Sequence, residues 1–274
     1  MTNTIPIFPI LDQKLITLLK SLEPGDWNKP TVARQWTVKD VASHLLDGNM
    51  RTISLYRDRH SMPPDREIHS YADLVAFLNQ YNADWVKATK RLSTALLIEL
   101  LESTGKQYSE IMAGQDLHSQ AIFPVSWAGE ETSENWFHIA REYTEKWHHQ
   151  QQIREAVGRP GIMERTLYYP FIETLLRGLP HTYRNTDAKT GTCIEIGISL
   201  QNEQLNWYLI KNQSGWQIEK APLAGPNAGI LIPAEIAWKL FTKAITSTEA
   251  FETSKLTGDQ QLALVSLNLI AVMA

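Results

Sequence analysis

Hydrophobic residues recur at helical spacing in several segments of the first 160 residues. A stripe of four leucines marks residues 11–22 as a helix. Similar stripes run through residues 70–92 and 93–112, as one long helix or as two joined end to end. Residues 114–131 are rich in turn-forming residues and are predicted to be a loop.

A second helix is predicted to begin after Thr37 and to run to about Arg59. Thr37 followed three residues later by Asp40 resembles a capping box, with aspartate in place of the usual glutamate. His44 lies in the second turn of this helix, and Gly48 lies four residues on, on the same side. A glycine inside a helix costs about 1 kcal/mol relative to alanine. Room for a bound molecule above His44, or the close approach of another helix, would explain it.

The last helix of this region is predicted over residues 135–158, with Thr132 or Ser133 as its N-cap and a glycine at its end. Residues four apart lie on one helix face, because each residue turns the helix by about 100°. Glu145 and His149 therefore face the same way.

The face that carries this pair is polar where a core helix would carry leucine and valine. Its members are Glu145, His149, Glu142, His138 and Gln152. A carboxylate and an imidazole one turn apart can bind one Zn²⁺ together with a histidine from elsewhere, leaving a fourth position for water or substrate. Such a pair is also common as a solvated helical pair. Glu142, His138 and Gln152 are catalytic candidates that could orient ligands or move protons, or they could join helices through hydrogen bonds.

Together these segments predict an antiparallel four-helix bundle. Metal ligands converge where the helices of a bundle face each other, so His44 can meet Glu145 and His149 there. Two histidines and one glutamate would form an open site of the catalytic kind. His148, the neighbour of His149, lies about 100° round the helix and is expected to face away when Glu145 faces in.

After residue 160 the pattern changes from helical to alternating. Four strands are predicted, over residues 192–199, 205–211, 215–219 and 228–232. Three helices accompany them, over residues 168–177, 234–244 and 258–273. The chain is therefore predicted to be an α+β protein of two domains, with a helical bundle over residues 1–160 and a small α+β domain with an antiparallel sheet over residues 161–274.

Composition and charge exclude several classes of partner. The formal net charge is −4 and the isoelectric point is about 6.1, so the chain lacks the overall basic charge typical of nucleic-acid binding. No basic segment followed by an apolar one marks a signal peptide, and no apolar run approaches the length of a membrane span. The cytoplasm is therefore the expected compartment.

The remaining histidines and the single cysteine show no ligand spacing. His60, His69, His118 and His181 fall in predicted loops or edges and are expected at the solvated surface. Cys193 lies in a predicted strand and is expected to be a small core residue. A single cysteine excludes an intramolecular disulfide and a cysteine-rich zinc finger.

Two motifs together resemble a known family. They are WTVKDVASHL at residues 36–45 and EKWHHQQQIREAVGRP at residues 145–160. Both resemble the N-terminal, metal-binding domain of the mycothiol-dependent maleylpyruvate isomerase family, within the DinB-like superfamily of four-helix bundles. The resemblance covers residues 8–160. The rest of the chain is similar, more loosely, to that family's second domain, which has a sterol-carrier-like α+β fold.

The resemblance implies a divalent metal, usually zinc, bound by one histidine of the second helix and an E-x-x-x-H pair of the last helix. Here these residues are His44, Glu145 and His149. Members of known chemistry use a low-molecular-weight thiol, held by zinc as a thiolate, for isomerisation or S-transfer. The resemblance thus implies a thiol-dependent isomerase or S-transferase that acts on a small-molecule electrophile, as a monomer or homodimer, with no nucleic-acid or membrane partner. No motif marks the catalytic residues of the second domain.

A non-catalytic alternative stays open. In it the protein is a metal- or small-molecule-binding module, and the metal is structural or absent. His138 could then supply a fourth ligand, although it lies about two turns from Glu145. A closed site of four protein ligands would favour the module, and an open site with a bound water would favour the enzyme.

Overall fold

A computed structural model of the chain describes residues 2–222 and 225–273. The first part is helical, with α1 at Phe8–Lys20, α2 at Val38–Thr52, α3 at Tyr71–Thr89, α4 at Thr94–Ala113 and α5 at Asn135–Val157. Helices α1, α2, α4 and α5 pack on one another, and α3 packs on α2. Two helices therefore form the segment 70–112, each capped by a serine, and the predicted helical region is confirmed.

Helix α2 begins where its capping box predicts. The Thr37 hydroxyl accepts a hydrogen bond from the Asp40 amide, and the Asp40 carboxylate accepts one from the Thr37 amide. The helix continues past Thr52 as a π-helical turn to Arg57, close to the predicted end at Arg59.

Helix α5 differs from the prediction at its start. Its N-cap is Glu134, whose side chain makes no capping hydrogen bond, so the expected cap at Thr132 or Ser133 is wrong. The Ser133 hydroxyl instead accepts a hydrogen bond from the backbone amide of Val125 at 2.9 Å. Gly158 ends the helix in the left-handed conformation, with φ of 67°, as predicted.

Helix α5 is buried on several sides, including sides that carry charge. Lys146 is only 8% exposed, and its ammonium group donates to Asp12 Oδ1 at 3.1 Å and to Asn49 Oδ1 at 2.7 Å. Arg154 is 6% exposed and donates to three backbone carbonyl oxygens, one of them in α1. These satisfied polar groups tie α1 and α2 to α5.

The second part combines short helices with one sheet. The helices are α6 at Arg165–Leu176, α7 at Leu179–Thr182, α8 at Ala234–Phe241, α9 at Ser247–Phe251 and α10 at Gln260–Leu264. The strands are β1 at Cys193–Leu200, β2 at Glu203–Asn212, β3 at Gly215–Glu219, β4 at Ala228–Pro233 and β5 at Lys255–Gly258. Their order is β3-β2-β1-β4-β5. The predicted α+β class is confirmed. Among the described strands, β1 pairs with β4 in parallel and the other neighbours pair antiparallel.

The end of the chain departs from the prediction. The sequence did not predict strand β5. Its segment is short and partly polar, it pairs with β4 at the edge of the sheet, and it shows no clear alternation of apolar and polar residues. The predicted helix over residues 258–273 is wrong in its extent. Helix α10 stops at Leu264, a 3₁₀ turn follows to Asn268, and the Ala271 amide then bonds to the Phe241 carbonyl.

One apolar core joins the helical part to the sheet. Trp147 of α5 stacks on Phe171 of α6 with ring centroids 4.0 Å apart, and it meets Trp238 of α8 edge-on at 6.3 Å. The hydroxyl of Tyr168 donates to the Ala234 carbonyl at 3.1 Å. A domain boundary at residue 160 stays a prediction.

Candidate metal centre

The site lies where α2 faces α5. His44 of α2 and His149 of α5 meet with ring centroids 4.7 Å apart and an interplanar angle of 76°. Trp36, just before α2, covers the pair, at 4.9 Å from the His44 ring and 6.3 Å from the His149 ring. The structure therefore brings together two residues that lie 105 positions apart in the sequence.

Glu145 and Gln152 flank His149 on its own helix. One carboxylate oxygen of Glu145, Oε2, lies 3.6 Å from His149 Nε2. On the other side of the ring, His149 Nδ1 lies 2.9 Å from Gln152 Oε1. If Nδ1 carries the proton that this amide oxygen accepts, the lone pair of Nε2 is directed towards Glu145. Gln152 is thus placed to orient the His149 ring, and this role stays a prediction.

His148 also belongs to the site, and the expectation that it faces away is wrong. One ligand atom each of Glu145, His148 and His149 lies within 4.8 Å of the other two. Residues three apart are neighbours on a helix surface, as are residues four apart, so the ring of His148 can turn towards Glu145. Its Nδ1 lies 2.8 Å from the Thr144 carbonyl oxygen, which leaves Nε2 available.

The electrostatics of this cluster keep the imidazoles of His44 and His148 neutral and the carboxylate of Glu145 charged. Burial, followed by the nearby His149, lowers the pKa of His44 well below its usual value. The same two causes lower the pKa of His148 to about 4. For Glu145 burial acts to raise the pKa, but the nearby His149 and the other adjacent histidines outweigh it and lower the pKa.

These donors suit a divalent cation. His44 Nδ1 is buried and has no hydrogen-bond partner among residues 2–222 and 225–273, so its polar atom is left unsatisfied. Neutral imidazole nitrogens and an ionised carboxylate oxygen are the ligand types that Zn²⁺ accepts in proteins. Glu145, His148 and His149 therefore fit a divalent cation of the kind that the family resemblance implies, and His44, which lies outside this group of three, meets it through the contact of its ring with His149.

Family and fold comparisons agree with the two sequence motifs. Residues 8–154 match the family described as the mycothiol maleylpyruvate isomerase N-terminal domain. The chain belongs to this family. The match spans α1 to α5 and includes His44, Glu145 and His149. A search of curated proteins finds no match.

Two solved structures share the fold of this family member over most of its length. A single-site mutant of the mycothiol-dependent maleylpyruvate isomerase superposes with a TM-score of 0.52 at 8% identity, covering 88% of each chain. A second crystal structure of the mycothiol-dependent maleylpyruvate isomerase gives 0.51 at 9% identity, covering 86% of each chain. The resemblance inferred from the motifs is confirmed. At such low identity the superposition establishes the fold alone.

Glu142 and His138 form a polar network along α5 that is separate from the candidate metal centre. The Tyr108 hydroxyl donates to one Glu142 oxygen at 3.1 Å, and Arg141 Nη2 donates to the other at 2.9 Å. The same Arg141 nitrogen lies 2.6 Å from His138 Nδ1. His138 is absent from the group of Glu145, His148 and His149. Glu142 is therefore hydrogen-bonded to another helix, which was the alternative predicted for it, whereas the hydrogen bond of His138 stays within α5.

Lys243, in the part of the chain that follows the family match, brings a positive charge near Glu145. Nothing in the sequence indicated that the two lie close together. Lys243, which follows α8, lies close enough to Glu145 for that carboxylate to raise its pKa, although burial lowers it more. Its ammonium group donates to the Met273 carbonyl at 3.1 Å. Lys243 sits at a positive φ of 63° after a short helix, and neither its spacing nor its neighbours in sequence point to α5.

Gly48 lies one turn after His44, and the space beside it is open. A Cβ added at Gly48 would meet no atom of the described residues within 4 Å. The close approach of another helix, one of the two explanations offered for this glycine, is therefore wrong. Open space beside His44 agrees with the other explanation, which is room for a bound molecule.

The other histidines and the cysteine behave largely as the sequence predicts. His60 is exposed, as are His69 and His118, which lie beside glutamates. His181 is half-buried, and burial lowers its pKa. Cys193 is buried in β1 with 2% exposure, and burial raises the pKa of its thiol. None of the described helices is long and apolar enough to cross a membrane.

Proposed function

We propose that this protein is a divalent-metal enzyme of the maleylpyruvate isomerase type, a thiol-dependent isomerase or S-transferase. Zinc or another divalent cation would be held by His44, Glu145 and His149. The observation that carries the proposal is the meeting of His44 with the Glu145 and His149 pair in a chain that belongs to this family. The thiol would be a low-molecular-weight one, as in the mycothiol-dependent enzymes of the same fold.

The bound cation would supply Lewis acidity, lowering the pKa of a coordinated thiol or water. The side chains of the chain itself prepare the site for that chemistry. Burial keeps His44 unprotonated, so its nitrogen lone pair is available at neutral pH. Gln152 fixes the orientation of His149, and Trp36 covers both rings and limits the access of water. The open space at Gly48 lies next to His44, where a thiol or a small electrophile would fit.

His148 favours a second candidate function, a closed metal site in a non-catalytic binding module. Its ring lies against that of His149 with centroids 3.9 Å apart, and its atoms are within reach of Glu145. Four protein ligands would leave no position for substrate. The role of His148 therefore separates the enzyme from the module.

Metal content of the purified protein, measured by elemental mass spectrometry, tests the ligand set. We expect about one zinc per chain in the wild type, and loss of most of it in His44→Ala, Glu145→Ala and His149→Ala. His69→Ala, at an exposed histidine, is the control and should keep its metal. Normal metal content in His44→Ala would mean that the ligand assignment is wrong.

His148→Ala then decides between the two functions. In the enzyme it keeps the metal, and the metal-loaded wild type consumes an electrophilic substrate only when a thiol is added. Loss of metal in His148→Ala, together with no thiol-dependent turnover of maleylpyruvate by the wild type, would support the module. The isomerase assay should include mycothiol and glutathione as separate co-substrates.

A further inference from the structure

A groove of about 440 Å³ lies between the start of α5 and the sheet. Trp136 and Phe137 of α5 form one wall, and strand β3 forms the other. Trp136 is nine residues from Glu145, or roughly 13 Å along the helix axis, so the groove is separate from the candidate metal centre. Its volume falls in the range of about 300–1,000 Å³ that is usual for small-molecule sites.

Arg177, at the C-terminal end of α6, brings a positive charge to this groove. Its guanidinium carbon lies 4.9 Å from the centroid of the Trp136 ring, so one face of the guanidinium is covered. Its Nε is buried and has no hydrogen-bond partner in the described part of the chain. Glu130 and Glu219 also line the groove. A half-buried guanidinium with free donors is suited to a carboxylate, which it can bind through two parallel hydrogen bonds.

Strand β3 faces the groove with its edge. It is the outermost strand of the sheet, and four consecutive residues, Trp216 to Glu219, line the groove. Side chains alternate between the two faces of a strand, so consecutive residues meet one cavity only along the strand's edge. The groove therefore borders the side of β3 that β2 does not cover.

Backbone groups at this edge point into open space. The amide and carbonyl of Lys211 in β2 bond towards β1, through Thr192 and Gly191. Its partner across the strand pair, Trp216, is thus in a non-hydrogen-bonded pair, and the backbone N–H and C=O of Trp216 point outwards. The two-residue period of the ladder gives Ile218 the same orientation. Among the described residues, no backbone group of another segment pairs with either residue.

We propose that this groove is a second ligand site, for a small molecule that carries one carboxylate next to an amide, such as an N-acyl amino acid. The carboxylate binds the guanidinium of Arg177. The ligand's amide N–H donates to the outward backbone carbonyl of Trp216 or Ile218, as the N–H of a residue in an added strand would. The apolar part lies against Phe137 and Pro180. Glu130 and Glu219 repel a second negative charge, so the site prefers a monoanion to a phosphate or a dicarboxylate.

Isothermal titration of the full-length protein with N-acetyl-L-phenylalanine tests this site. The uncharged N-acetyl-L-phenylalaninamide is the matched probe without the carboxylate. We expect the acid to bind the wild type, and Arg177→Gln to weaken this binding roughly tenfold or more, because a charge-assisted hydrogen-bonded pair is lost. Arg177→Lys, which keeps the charge and the contact with Trp136, should weaken it less. Glu145→Gln, in the candidate metal centre, should leave it unchanged.

Three results would overturn the proposal. The first is absence of heat with the acid at millimolar concentration. The second is equal affinity of the acid and the amide, or of the wild type and both Arg177 variants, since the guanidinium would then play no part. The third is a pentapeptide that ends in phenylalanine and binds more than tenfold tighter than the acid, which would make a protein strand the occupant. Thermal unfolding of each variant verifies its fold, and Arg177→Lys serves if Arg177→Gln does not fold.

Discussion

Individual residues around His44 differ in how they contact the candidate site. Gln152 lies within hydrogen-bond distance of the His149 ring, Trp36 lies against that ring, and Gly48 leaves a space beside His44 that no described side chain fills. None of these three has to be a metal ligand to matter for the proposed chemistry. Substitution of single residues can therefore distinguish a loss of stability from a loss of the space that a ligand would occupy.

Gly48→Ala should make the protein more stable and less active. Alanine has a higher helix propensity by about 1 kcal/mol, and the added Cβ meets nothing within 4 Å. Urea unfolding should therefore show a gain of about that size, with unchanged metal content. If the space holds the thiol or the electrophile, the KM of the proposed reaction should rise, and rise further in Gly48→Leu.

Gly105 of α4 provides the matched control for this change. A Cβ there would lie 3.0 Å from the Asp12 carboxylate, which Lys146 holds in place. Gly105→Ala should therefore lose part or all of the stability that alanine brings to a helix. An equal gain in stability at both glycines would mean that the stability gain does not depend on the open space at Gly48.

His138 should make the protein sensitive to acid. Burial, followed by the charge of Arg141, lowers the pKa of His138 from 6.5 to about 4. Between these pH values the unfolded chain binds a proton that the folded chain does not, so the free energy of unfolding decreases as the pH falls. The loss begins near pH 7, as the histidine of the unfolded chain starts to bind its proton, and is on the order of 3 kcal/mol at pH 4.

His138→Gln removes this proton but keeps an acceptor for Arg141. Urea unfolding at pH 7 and at pH 4 should show a smaller loss of stability in the variant than in the wild type. Equal losses would indicate that His138 titrates in the folded protein near its usual pKa.

Helices α2 and α5 carry the candidate ligands. Local interactions fix the start of α2, but they do not fix the start of α5. Helix α2 starts at a capping box that its own sequence encodes, so the position of His44 along the helix follows from Thr37 and Asp40. Helix α5 has no side-chain cap and is held by its surroundings, including the bonds of Lys146 to Asp12 and Asn49.

Thr37→Ala should destabilise the protein by about 1 kcal/mol, because the N-terminal amide of α2 loses its acceptor. Thr37→Ser keeps the hydroxyl and should stay close to the wild type. The comparison uses urea unfolding of the metal-free proteins, which separates the cap from any effect of ligand binding. An alanine variant as stable as the serine variant would show that the capping box does not stabilise α2.

At the scale of the whole molecule, α5 serves both parts of the chain. Its polar face carries the candidate metal centre, while Trp147 on another face packs against α6 and α8. Lys239 of α8 also forms an ion pair with Glu155 at 2.6 Å. The helical part and the sheet therefore share a core, and their stabilities should be coupled.

Trp238→Ala should destabilise both parts together. The ring is fully buried, and removing such a side chain costs about 3–5 kcal/mol. Chemical unfolding followed by far-UV circular dichroism and by tryptophan fluorescence should give one shared transition that moves to lower denaturant concentration. Trp238→Phe should move it less. Two separate transitions, of which only one shifts, would mean that residues 1–160 fold independently.

The sequence by itself determined most of the helices and strands, and it determined which helix carries Glu145 and His149. Helical periodicity, strand alternation, the capping box and the terminal glycine act over a few residues, so α1 to α5 and β1 to β4 follow from local pattern. The E-x-x-x-H spacing on α5 has the same origin, because helix geometry alone places Glu145 and His149 on one face.

Only the tertiary structure decided how these elements meet. The contact of His44 with His149, the inward turn of His148 and the approach of Lys243 to Glu145 depend on packing between segments far apart in sequence. Strand β5 and the irregular C-terminus likewise depend on partners in β4 and beside α8. A periodic pattern states which face of a helix is buried, but the element against that face is chosen by the free energy of the whole fold.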